Sequence, residues 1–239
     1  MKKLQITKDT PVINNDFACE FCGVKFKRET TLARHACEPR RRWMDQHRPG
    51  NRIGFQCWIR FYQKNSLTSN TPKTYQEFIK SAYFLAFVKF GNYCASVNIF
   101  NSFAYTDWLL KNEIRIDTWC SDVHYTRFLV EYLKIEDSLD AVARSVETMI
   151  NRAQEEGIQP HDYLRYGNRN KICHIITTGR ISPWVLYQSK SGVSFLESLD
   201  ETQQKMILDY INPEQWAIKF IRNKDELPNV KQLLQSAGY

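Results

Sequence analysis

Four residues near the N-terminus constrain this chain more than any other feature: Cys19, Cys22, His35 and Cys37. Two cysteines separated by two residues, then twelve residues and a histidine, is a spacing that can bring thiolate and imidazole groups onto one divalent metal. Apolar residues stand at matching positions, with Phe17 two before the first cysteine, Phe26 four after the second and Leu32 three before the histidine. Three such side chains make only a miniature core. A stretch this short buries too little apolar area to fold alone, so metal binding has to supply its folding energy.

The last ligand fixes where the local helix stops. Residues two apart on an α-helix point about 200° apart around the axis, so His35 and Cys37 cannot reach one ion while a helix runs through both. The helix is therefore expected to end near His35 or Ala36. Pro39 agrees, because it biases Glu38 out of the α region. The expected site is Cys3His around Zn2+, with His47 as the alternative fourth ligand.

On these residues, Phe17 to Cys37 resembles a C2H2-type zinc finger, in a Cys3His variant. Where the family has its second histidine this chain has Pro39, Arg40 and Arg41, and Cys37 stands in. The resemblance implies a ββα-like fold. It also implies a nucleic-acid contact: the family's base-reading helix positions −1, 3 and 6 correspond to Arg28, Thr31 and Arg34. Arginine suits the O6 and N7 acceptors of guanine. Lys25, Lys27, Arg40, Arg41, Arg42 and Arg48 would then meet phosphates, which position a protein without reading sequence. One finger spans only about three base pairs, so it cannot select a site alone. The whole chain also resembles uncharacterised single-finger proteins of tailed bacteriophages, on "FACEFCGVKFKRETTLARHAC" and the "RRRW" that follows. That likeness implies an accessory role in phage DNA metabolism or transcription.

Charge is distributed unevenly. Residues 1–64 hold fourteen Lys or Arg against six Asp or Glu, whereas residues 65–239 hold nineteen against twenty. The excess of +7 therefore lies at one end, as expected when that end meets a polyanion and the other end does not; with the finger resemblance, DNA is the expected nucleic acid ahead of RNA. No stretch approaches eighteen uninterrupted apolar residues, so no membrane span is expected. The start, Met1-Lys2-Lys3-Leu4, carries no apolar run of the secretory kind. Cys57, Cys94, Cys120 and Cys173 each stand isolated in apolar segments and read as buried reduced thiols, consistent with a cytoplasmic protein, or host cytoplasm if viral.

The pattern predicts a mainly α fold: a polar arm (1–16), the finger (17–37), basic connector helices (38–64) and an α-helical body (74–239). Pro39 suits the first turn of a helix carrying Arg40 to Trp43 and stopping at Pro49-Gly50. A second connector helix, from Arg52 to Lys64, has Phe55, Trp58, Ile59 and Tyr62 on one face. Thr74-Tyr-Gln-Glu77 is a capping box before an apolar run from Tyr75 to Cys94, aromatic on most sides and so expected at the centre of the bundle. Further helices are expected around Ala104–Asn112, Ser121–Leu133, Ser138–Glu156, Asn168–Thr178 and Val230–Ala237. Ser182-Pro183, Asn212-Pro213 and Asp200-x-x-Gln203 mark helix starts.

Two other functional classes fit the same sequence. The zinc site can serve only to shape a surface for a protein partner, with the body as the docking element. Alternatively, Asp107, Asp122, His124, His161, Asp162 and His174 can contribute to a metal-dependent nuclease, although no HExxH, phosphate-cradling glycine loop or Gly-x-Ser-x-Gly elbow is present. The main reading has no catalytic residue.

Overall fold

The computed structural model describes residues 17–65 and 72–239, so the expected polar arm lies outside the described residues. The chain is mainly helical, with one two-stranded antiparallel sheet at the N-terminal end. Strand β1 (Phe17–Ala18) pairs with β2 (Lys25–Phe26), setting Phe17 opposite Phe26 and Ala18 opposite Lys25. Helix α1 (Glu29–Arg34) follows, then α2 (Glu38–Met44), a 3-10 turn (Asp45–His47) and α3 (Pro49–Asn65). The long apolar run divides into α4 (Tyr75–Lys80) and α5 (Phe84–Val97).

Next come α6 (Ser102–Lys111), α7 (Asp122–Ile135), α8 (Ser138–Glu156), the short α9 (Tyr163–Tyr166) and α10 (Arg169–Thr177). The chain continues through α11 (Pro183–Gln188), α12 (Lys190–Glu197), α13 (Glu201–Ile211), α14 (Pro213–Arg222) and α15 (Leu227–Ser236).

Helix starts follow their local signals closely. Thr74 and Asp200 each form a reciprocal capping box, with Glu77 and Gln203 respectively. Ser182 and Asn212 cap helices whose first residue is proline. Gly157 ends α8 in the left-handed region, at φ 68°.

Two starts and breaks differ from expectation. Pro49-Gly50 does not stop a helix but begins α3, since proline fits a first turn and α2 has already ended at Met44. The run from Tyr75 to Cys94 is interrupted at Ser81, whose backbone is extended. Its hydroxyl accepts the Tyr83 amide at 3.1 Å and the Trp58 indole N–H at 3.2 Å, offering the chain a turn in place of a helical bond.

Buried apolar residues gather in two cores. The first, from Cys57 to Leu129, is aromatic-rich: Phe87, Phe90, Tyr105 and Phe128 are buried, with Trp119 edge-on to both Phe87 and Phe90. Helix α5 runs through it against α3, and three glycines permit the approach. A Cβ built on Gly91 would stand 1.9 Å from the Gly50 carbonyl oxygen, and one on Gly54 2.4 Å from that of Phe87. The second core, from Leu133 to Leu234, surrounds Trp184, Met149 and Ile176. Tyr210 packs against both cores.

Between the cores, Arg144 makes a two-pronged ion pair with buried Glu136, donates to the Gly179 carbonyl at 3.2 Å, and lies 4.1 Å over the Phe100 ring. None of the described helices is long and apolar enough to cross a membrane.

Candidate metal centre

The β1–β2 hairpin and α1 converge on one point. Gly23 takes φ +73° at the hairpin turn, where its amide donates to the Cys19 carbonyl at 2.7 Å. The Cys19 amide in turn donates to Val24 O at 2.9 Å. These bonds curl the chain so that the Cys19 and Cys22 sulfurs face the same side. Helix α1 ends at Arg34, and His35 leaves it with extended backbone, φ −70° and ψ 121°. Cys37 is extended as well and serves as the N-cap of α2. The helix therefore stops where the ligand geometry requires, and a fresh one begins with Pro39 in its first turn.

As a result the ligating atoms of Cys19, Cys22, His35 and Cys37 all lie within 4.8 Å of one another. Cys19 Sγ is 3.8 Å from Cys37 Sγ, and Cys22 Sγ is 3.2 Å from His35 Nε2. Two Zn–S bonds of about 2.3 Å at a tetrahedral angle put their sulfurs about 3.8 Å apart, so the cluster is compatible with a metal ion such as zinc. Cys37 completes the group; His47 sits exposed in the 3-10 turn and is not part of it.

The Cys19 and Cys22 sulfurs sit in opposite electrostatic settings. The amide of Cys22, with that of Phe21, points at Cys19 and holds its thiol below the ordinary value. Cys22 is shifted upward: the Val24 amide lowers it, but burial and the adjacent Cys19 and Cys37 sulfurs raise it more. Three sulfurs this close cannot all become thiolates without a cation among them.

Around the cluster the segment has almost no core. Cys19 is the single buried residue between Phe17 and Met44, and the Phe26 ring lies 4.8 Å from that of His35. The segment is tied to the body through α2. Arg40 donates to the His35 carbonyl at 2.7 Å, and the Trp43 ring meets Phe21 at a tilt and Tyr75 edge-on, at 6.0 and 5.9 Å between centroids.

The residues expected to contact nucleic acid fall into two groups. Arg28, Thr31, Arg34, Lys25, Lys27, Arg41 and Arg48 are exposed, with Arg48 paired to Asp45 at 2.9 Å. Arg40 and Arg42 are half-buried and their guanidinium groups are engaged by the protein itself. Arg42 donates to the Ile79 carbonyl at 2.7 Å, pairs with Glu38 and covers the Phe84 ring at 4.4 Å. For Arg42 sequence reasoning had no signal, because every partner except Glu38 is far along the chain.

The scattered acids and histidines do not join a second cluster. Among the described residues no other group of three metal-ligating side chains converges. Asp107 is paired with Arg60 and Lys64, and Asp122 accepts from the Tyr93 hydroxyl at 3.0 Å. Burial raises the Cys57, Cys94, Cys120 and Cys173 thiols, the last to about 11, so these stay protonated at neutral pH. Compared with known proteins, the chain matches no family profile, no curated protein and no solved structure.

Proposed function

We propose that this chain is a zinc-dependent nucleic-acid-binding protein, acting on DNA without catalysing a reaction, and that Phe17–Cys37 is a C2H2-like finger of the Cys3His type. The observation that carries this reading is a metal-ligating cluster whose attached helix leaves Arg28, Thr31 and Arg34 exposed. Zinc fits better than a harder ion because three sulfurs and one imidazole form a soft, four-coordinate donor set. The finger's docking through Phe21, Trp43 and Tyr75 supports a helix presented at a fixed angle to the body.

In this reading Arg28 and Arg34 reach guanine edges, while Lys27 and Arg41 neutralise phosphates. Arg42 acts from within, bracing α2 on α4. The test is fluorescence anisotropy with a labelled DNA duplex across a salt series. Affinity should fall steeply with salt, and Lys27→Ala with Arg41→Ala should flatten the log–log slope by about 1.8. Absence of duplex binding even at low salt would refute the reading and leave the zinc-shaped surface as a site for a protein partner.

A further inference from the structure

Far along the chain from the finger, the second core carries a groove with several cations in its lining. One hollow of about 400 Å³ is bordered by Arg165, Lys190 and Lys231, with His161 and a single acid, Asp162, beside them. A second, of about 470 Å³, shares Arg165 and continues past Tyr166, Asn168, Arg169 and Asn170. Arg165 borders both, so the two hollows adjoin at that side chain and together make a track along this face. Its cations stand out against this half of the chain, which from Glu136 onward has slightly more acids than bases.

Three features separate this track from an ordinary solvated surface. First, among the described residues no ion pair includes Arg169, Lys190 or Lys231, and Arg165 reaches Asp162 only at 4.0 Å. Second, Arg169 and Lys190 are the first residues of α10 and α12, directly after the caps Asn168 and Ser189. The helix dipole makes that end positive already, so a cation there works against helix stability where Asp or Glu would favour it. Third, Tyr166 is 71 % exposed and borders the same hollow as Arg165 and Arg169. Gly167 sets that position: buried, with a Cβ there only 2.5 Å from the Tyr163 carbonyl oxygen, it lets the chain turn tightly and leaves Tyr166 outside.

Cations bordering one track, most of them without an internal partner, beside an exposed aromatic ring are the elements that hold a single strand: phosphates on the charges and a base on the ring. We infer that this groove binds single-stranded nucleic acid, with Arg165, Arg169, Lys190 and Lys231 along the backbone and Tyr166 stacking a base. The inference is independent of the finger. A duplex does not fit it, because paired bases cannot present a face to Tyr166.

The experiment uses the full chain, anisotropy at low salt, and three labelled probes: a twelve-nucleotide dT strand, the matching rU strand and a DNA duplex. Circular dichroism confirms that each variant is folded, and Tyr166→Phe serves as the conservative control. Tyr166→Ala should weaken single-strand binding about five-fold or more, since stacking of one base is worth about 1 to 3 kcal/mol. Tyr166→Phe should retain it. Arg165→Ala with Arg169→Ala should weaken it further, whereas Lys224→Ala, at an exposed cation bordering neither hollow, should leave it unchanged. Equal binding of dT and rU assigns readout to backbone and base faces, and preference for rU adds the 2′-hydroxyl. Failure of both single strands to bind, or affinity unchanged in Tyr166→Ala, overturns the inference. Loss of duplex binding alone would refute the finger reading and leave the groove standing.

Discussion

Replacing Cys37 with serine tests the metal centre most directly. It removes one of three sulfurs and leaves a hydroxyl that is a poor zinc ligand at neutral pH. Structural zinc binding in finger peptides is worth about 10 to 16 kcal/mol, and an even share among four ligands is about 2.5 to 4 kcal/mol. Zinc affinity should therefore drop about a hundred- to a thousand-fold. Since Cys19 is the single buried residue from Phe17 to Met44, the hairpin and α1 have little apolar packing to hold them once the ion is lost, whereas α2 keeps its contacts with Ile79 and Phe84. The two cores do not depend on it, so unfolding should remain local.

The assay pairs zinc content with limited trypsin digestion, because Lys25, Lys27, Arg28 and Arg34 lie inside the affected segment. With zinc bound, cleavage there should be slow. In Cys37→Ser, or after chelation, it should become fast while the main thermal transition stays in place. Cys94→Ser, which alters a buried thiol in the first core, should keep one zinc per chain. Cys37→Ser protein that retains zinc and resists trypsin like the parent would refute the reasoning, and would return attention to His47.

Three further outcomes can be measured on the same protein. Gly91→Ala forces a Cβ into backbone rather than into a movable side chain, so chemical denaturation should show a loss of about 3 kcal/mol or more, at or beyond the usual range for overpacking. Arg144→Met leaves Glu136 buried without its partner and should cost about 3 to 5 kcal/mol, while the double change with Glu136→Leu should recover most of it. The Glu77 carboxylate is held below its usual range by the Thr74 amide and hydroxyl, so the α4 cap is intact above the unfolded value and is lost as pH falls through the lower folded one. Hydrogen exchange of the α4 amides should accelerate in acid, and in Glu77→Gln that pH dependence should vanish.

The sequence by itself determined whatever depends on near neighbours. The ligand spacing and Pro39 implied a helix ending by His35, and α1 does end at Arg34. Caps at Thr74, Asp200, Ser182 and Asn212 marked helix starts because cap and amide are only two or three residues apart. The apolar period of α8 from Ser138 to Glu156 matched the observed helix for the same reason.

Only the tertiary structure decided what rests on residues distant in the chain. The close pass of α3 over α5 needs Gly50, Gly54 and Gly91 together, and no local pattern relates the first two to the third. Arg42 turns inward because Ile79 and Phe84 arrive from two other helices, α4 and α5. The groove likewise joins Arg165, Lys190 and Lys231 from three separate helices. Short-range order is written in spacing and dihedral preference, whereas long-range order is settled by which buried surfaces fit, a property of the whole packed chain.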